Sequence, residues 1–248
     1  MQLRVLGPLE VTVDGVTREL TKRRHREILG ILVSLRGRNI PTTSLVDELW
    51  DDAPPRGAIG AIRTFIGELR RILEPRRQPR TPPSVLLTVG DGYALRLHHD
   101  AVDAWRFATA VTRSPEATPE EAAMQLSTAL GEWDGEAFQE FAERPWAIPE
   151  VRRLTKLRQT AVERCAAAQL ECGQPTDAVT TLETHIEENP WSEEAWRLLA
   201  LALYRCNRQT EALAVLRQAR TRLANELGLD PAARSWNCRA GFSAVIPS

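Results

Sequence analysis

Alternation of apolar and polar residues with a period of two stops near residue 100 and does not return. From about Ala101 to about Leu227 the apolar positions recur every three or four residues, so a mixed strand-and-helix region must be followed by an all-helical one. The helical stretch also repeats. Laying residues 158–190 over 192–224, an offset of 34, superimposes Ala161 on Ala195, Ala166 on Ala200, Ala168 on Ala202, Cys172 on Cys206, Thr176 on Thr210, Ala178 on Ala212 and Leu182 on Leu216.

Small residues at those positions suit two antiparallel helices in close approach, and 34 is the period of the tetratricopeptide repeat. The second half therefore reads as a short array of helical hairpins, completed by helices at 103–113, 118–133 and about 149–157. Trp191 and Trp196, near the second repeat, read as core residues, with partner anchoring as the other role open to them.

The first half has a different order. Leu3 to Leu6, Leu9 to Val13 and Val16 to Leu20 read as strands, with Asp14-Gly15 as a two-residue hairpin turn. Thr21 is expected to cap a helix from Lys22 to about Arg36, with Gly37 ending it. A second helix starts at Thr42 or Thr43. A third runs from about Arg56 to Leu73 with an inner face of Ile59, Ile62, Ile66, Leu69 and Leu73. Val85 to Leu97, turning at Gly90-Asp91-Gly92, gives a last hairpin. Strands, three helices and a hairpin make a winged helix with an N-terminal sheet.

Charge divides along the same line. The whole chain carries 32 basic and 33 acidic residues, a net of −1. Residues 1–100 hold 16 basic against 12 acidic side chains, and residues 101–248 hold 16 against 21. Residues 54–80 alone hold seven arginines against Glu68 and Glu74, the clustering that a polyanionic partner requires. On the third helix the outward face reads Arg56, Gly60, Arg63, Gly67 and Arg70, flanked by Thr64 and Arg71. Each interior glycine costs a helix about 1 kcal/mol against alanine. Such a face suits a helix lying deep in a DNA major groove, where small residues admit the backbone and arginines reach guanine edges or phosphates. Lys22, Arg23, Arg24, His25 and Arg26 crowd the positive end of the first helix and call for an external anion. Thr42 and Thr43 bring hydroxyls and free N–H groups to the start of the second helix, a natural phosphate site. Arg76, Arg77 and Arg80 follow the third helix in a proline-rich loop within reach of a DNA backbone.

Enzyme chemistry finds no foothold. There is no phosphate loop, no dinucleotide fingerprint, no HExxH and no nucleophile elbow, and His98-His99 would point to opposite sides of a strand. The four cysteines are spaced 7, 34 and 32 apart, which fits no zinc site, and Cys172 and Cys206 share one repeat position as packing groups. The expectation is a non-enzyme with no cofactor and no metal. The longest apolar run, Leu198 to Tyr204, is too short to cross a bilayer, and Met1-Gln2-Leu3-Arg4 enters a strand pattern without a secretory segment. A cytoplasmic, nucleoid-associated protein is expected.

The ordered segments LGPLEVTVDG, LTK with REILGILVSLRGRNI, TSLVDELW, PP, AIRTFIGELRRIL and GYALRL, then ALGEWDGEAF, RQTAVERCAAAQLECGQ and the run EENPWSEEAW to LGLDP, resemble the SARP family of actinomycete antibiotic regulatory proteins over residues 3–231. The resemblance implies an OmpR/PhoB-type winged-helix DNA-binding domain at 1–98 and a tetratricopeptide-like bacterial transcriptional activation domain at 99–231. It implies an activator of secondary-metabolite genes that binds tandem direct repeats near the −35 region of promoters as a homodimer or as tandem protomers. Such proteins recruit RNA polymerase through its sigma and alpha subunits. By position, Arg63, Thr64 and Gly67 become base-facing candidates, Arg70 and Arg71 the basic pair ending the recognition helix, and Tyr93 the tyrosine of the wing. Three features depart from the family pattern. Asp91 puts an acid in the wing turn, no ATPase, phosphopeptide-binding or receiver domain accompanies the two regions, and residues 232–248 lose helical period and read as a disordered tail. A promoter-blocking repressor would use the same DNA-contact residues, and a protein-binding adaptor would have no reason to keep the arginine face exposed.

Overall fold

A computed structural model describes residues 1–51 and 53–227, and the expected tail at 232–248 lies outside them. Strands β1 (Gln2–Arg4), β2 (Glu10–Val13) and β3 (Val16–Arg18) form an antiparallel sheet in chain order. Val13 pairs with Val16 across Asp14 and Gly15, whose φ values of 54° and 77° are those of a tight hairpin turn matched to strand twist. Helix α1 (Arg23–Ser34), strand β4 (Ile40–Pro41), helices α2 (Thr42–Trp50) and α3 (Ala58–Leu73), and strands β5 (Leu86–Val89) and β6 (Gly92–Leu95) follow. The second sheet has the order β4-β6-β5, so the hairpin lies against the residues that enter α2. A Cβ at Gly92 would lie 2.1 Å from the Ile40 carbonyl oxygen, and only glycine permits this approach. The winged helix with an N-terminal sheet is as expected.

Two helix starts differ from expectation. Lys22, not Thr21, is the N-cap of α1, and no side chain caps it. Helix α3 begins after Gly57, at φ 87°, so Arg56 lies in the preceding loop. The buried face of α3 is Ala58, Ile62, Ile66, Leu69 and Leu73, while Ile59 is 44 % exposed. Stepping back from Ile62 by four residues reaches Ala58 and by three reaches Ile59, and the packing takes the smaller residue.

Helices α4 (Asp103–Arg113), α5 (Pro119–Leu130), α6 (Ile148–Glu171), α7 (Pro175–Glu188), α8 (Glu193–Arg205) and α9 (Gln209–Leu227) make up the helical half. The compact units do not part at residue 98. One comprises Met1–Ala110 with Gly131–Leu157, and the other Val111–Leu130 with the chain from Arg158 on. The segment 131–157 belongs with the winged helix because its backbone completes that unit. The Asp134 N–H donates to Leu6 O at 2.8 Å and the Phe138 N–H to Val5 O at 2.7 Å. Buried Asp103 ties the same segment, just after β1, to α4, its carboxylate accepting from the N–H groups of Val5, Leu6 and Ala104 at 2.7–3.0 Å. Burial still pushes that carboxyl above the usual carboxylate range.

In the other unit the 34-residue period is written into the turns. Gly173 and Asn207 both hold positive φ, at 72° and 60°. Gln174 N–H donates to Gln169 O at 2.8 Å and Arg208 N–H to Leu203 O at 2.9 Å; Gly173 donates to Leu170 O at 3.1 Å and Asn207 to Tyr204 O at 3.0 Å. These are two copies of one Schellman termination, 34 residues apart. Ala161, Ala166, Ala178, Ala195, Ala202 and Ala212 are buried where the helices meet. Trp196 is buried and its indole N–H donates to Pro190 O at 2.9 Å. Trp191, expected in the core, is instead 45 % exposed, with the Arg222 guanidinium 6.0 Å from its ring.

Candidate nucleic-acid interface

The buried stripe of α3 fixes what it presents outward: Ile59, Gly60, Arg63, Thr64 and Arg71 are exposed, and Gly67 is half-buried. A Cβ added at Gly60 or Gly67 would meet nothing within 4 Å, so neither glycine is required for packing. The first turn of the helix carries no acid and its N-cap no side-chain bond, which leaves the positive dipole end open to an anion. Thr64 turns its hydroxyl back to Gly60 O at 3.1 Å. Among the described residues, Arg23, Arg56, Arg63 and Arg71 are exposed and make no ion pair or side-chain hydrogen bond.

Several residues read from the sequence as DNA contacts are engaged inside the fold. Arg70 does not continue the outward stripe. Its Nε donates to Leu86 O and its Nη2 to Thr88 Oγ1, both at 2.8 Å, which ties α3 to β5, and burial pushes its pKa down. Lys22 Nζ lies 2.7 Å from Glu68 Oε2, and buried His25 reaches the same oxygen at 2.7 Å while meeting the Phe65 ring edge-on at 5.7 Å. Chiefly through Lys22, the Glu68 carboxyl is held below its usual range. His25 is therefore a core residue rather than a phosphate neighbour. Arg24 donates to Glu27 Oε2 at 2.7 Å and lies 5.2 Å from the centroid of the Trp50 ring. Arg26 binds both oxygens of Glu140 at 2.8 Å. The cations at the start of α1 find internal acids, and Arg23 alone of that run faces outward unpaired.

Thr42 is no open phosphate site, because its N–H (3.2 Å) and its hydroxyl both donate to the carbonyl oxygen of Asp91 in the wing turn. Thr43 stays exposed. Tyr93 is buried between β4 and β5, paired with Ile40 and Thr88. Arg77 folds back on its own loop, donating to Thr81 O at 2.6 Å. Arg76 is highly exposed, with Asp14 Oδ2 at 3.2 Å. Ile59 is the surface residue that the sequence reading missed; its only signal is the choice between two backward steps from Ile62.

The helical unit holds a pocket of a different character. Its cavity of about 520 Å³ is lined by Glu120 and Asp177 with Met124, Ser127, Gln169 and Thr180, and its carboxylates disfavour a phosphate backbone. Burial pushes the Cys165 thiol up to about 11, far from a nucleophile's value. Among the described residues no group of three or more His, Cys, Asp or Glu is placed to hold a metal ion, and no helix is long and apolar enough to cross a membrane.

Known proteins resemble this chain in sequence and in fold. The family model described as bacterial transcriptional activator domain matches residues 102–238, and that described as transcriptional regulatory protein, C terminal, matches residues 17–95. Transcriptional regulatory protein EmbR of Mycobacterium tuberculosis is 32 % identical over 92 % of the chain and 59 % of its own length. Regulatory protein AfsR of Streptomyces coelicolor is 34 % identical over 93 % of the chain and 23 % of its own length. Regulatory protein DnrI of Streptomyces peucetius is 28 % identical over 94 % and 89 %. The chain thus spans about three-fifths of EmbR and under a quarter of AfsR. A solved structure of M. tuberculosis EmbR in complex with a low affinity phosphopeptide superimposes with a TM-score of 0.86 at 29 % identity, covering 100 % of this chain and 66 % of that one.

Proposed function

The chain belongs to the SARP family of transcriptional regulators, and from that premise we propose that it is a sequence-specific activator of secondary-metabolite genes that reads tandem direct repeats near the −35 region and recruits RNA polymerase. The observation that carries this reading is the outward face of α3, where Arg63, Thr64 and Arg71 stand beside two glycines that no packing requires. Arg63, Thr64 and Gly67 face the bases in the major groove. Arg71, Arg56, Arg23, Thr43 and Arg76 meet phosphates, adding affinity without sequence information. Head-to-tail repeats would seat protomers on one DNA face about a helical turn apart. The acidic helical region, with exposed Trp191, then engages polymerase.

Selection of sites from a random duplex library at about 150 mM salt tests this reading. The wild type should enrich a tandem repeat and an Arg63→Ala/Arg71→Ala variant should not. Weak, sequence-independent binding by both proteins would overturn it in favour of a protein-binding adaptor.

A further inference from the structure

We propose that Ile59 is a specificity-determining residue whose side chain packs against the 5-methyl group of a thymine in the major groove; the proposal rests on the DNA-binding reading above. Ile59 occupies the first turn of α3 and is 44 % exposed, while Ala58 on one side and Ile62 one turn on are buried. Arg63 lies four residues further along and therefore on the same face. Next to Ile59, Gly60 has open space where a Cβ would stand, and Gly57 precedes the helix, so no neighbouring side chain there fences the isoleucine in.

An exposed β-branched residue serves the first turn poorly, since alanine or glutamate forms helix more readily and shows less apolar surface to water. The placement makes sense if an apolar surface waits for it. The major groove presents one distinctive apolar group, the thymine methyl, and the N-terminal residues of a recognition helix are those that reach base edges. The flanking exposed cations Arg56 and Arg63 favour a polyanion over an apolar protein partner at this face.

The test uses the full chain and its selected repeat, with each thymine replaced singly by deoxyuridine, which removes only the methyl group. The wild type should lose about fourfold in affinity at one thymine of each repeat, the worth of one buried methyl group. Ile59→Ala should bind the thymine and uracil duplexes alike, and Ile59→Val should discriminate to an intermediate degree. Unchanged far-UV circular dichroism and melting temperature would show that the variants fold. Wild-type indifference at every thymine, or undiminished discrimination by Ile59→Ala, overturns the assignment while leaving DNA reading intact. If the wild type enriches no sequence, DNA reading falls and Ile59's role with it.

Discussion

The two compact units are held together by opposite means. The winged-helix unit is cross-linked by groups far apart in sequence. Asp103 binds the backbone at Val5 and Leu6, Arg26 binds Glu140, Arg36 approaches Glu150 at 3.2 Å, and Trp146 lies over Gly30. The fully buried Glu27 carboxylate sits between Arg24 at 2.7 Å and Arg144 at 3.1 Å; the Arg144 contact is an ion pair without hydrogen-bond alignment. The helical unit is bound mostly by neighbours: alanines between adjacent helices, a repeated turn, and charges paired three residues apart, as in Arg208 with Glu211, with Arg164 to Val111 O at 2.7 Å a longer tie. A closed set of distant ties makes one cooperative body, whereas nearest-neighbour packing makes an additive stack. Helix α3 is held in the first kind of structure, where its orientation is fixed from many directions.

The sharpest way to break this comparison is to cut one tie in each unit. Arg144→Met is expected to cost about 3–5 kcal/mol, because the buried Glu27 keeps only Arg24. Glu211→Ala, on an exposed helix face, should leave the urea midpoint unchanged. Similar midpoints for the two variants would refute the contrast.

A second test depends on sign. Helix propensity alone makes Gly30→Ala stabilising by about 1 kcal/mol. A Cβ there would lie 2.8 Å from Trp146 Cη2, so a loss of about 1–2 kcal/mol is expected as the ring is displaced. Gly60→Ala, with open space around it, should gain stability in the same thermal scans.

The smallest effect belongs to the helical unit. The Glu163 carboxyl is held below its ordinary value of 4.5, chiefly by His185 and further by Ser192, which donates to it at 2.5 Å. A lowered carboxylate stabilises the fold above that ordinary value and loses its contribution as pH falls through the lowered one. Stability should therefore drop as pH falls below about 4.5. Denaturation of Glu163→Gln as a function of pH should show a shallower slope there.

What was legible in the sequence follows the same division. The helical hairpins announced themselves because each contact lies within one repeat of its partner, so an offset of 34 was enough to find Ala161 and Ala195. The order of the winged helix was legible from turn chemistry at Asp14-Gly15 and Gly90-Asp91-Gly92. Its surface was not. Lys22 and His25 looked like part of a phosphate-binding cluster because Glu68 lies more than forty residues away, and nothing local shows that it folds back to them; the partner of Arg24, Glu27, was three residues off on the same helix. Arg70 looked outward because its acceptors, Leu86 O and Thr88 Oγ1, belong to a strand not yet formed at that point in the chain. The role of residues 131–157 was invisible because backbone hydrogen bonds at Asp134 and Phe138 leave no mark on side-chain pattern.

That segment bears on how such proteins can be inherited. The chain passes from one unit to the other near residues 110, 130 and 157, so neither unit is a continuous stretch of gene. A single recombination event cannot exchange one winged-helix unit for another and leave both bodies whole. A crossover at residue 98 would pair the front of one ancestor's winged-helix unit with another ancestor's Asp103, Arg144 and Trp146. Change in this lineage should therefore come by point substitution more readily than by shuffling of halves.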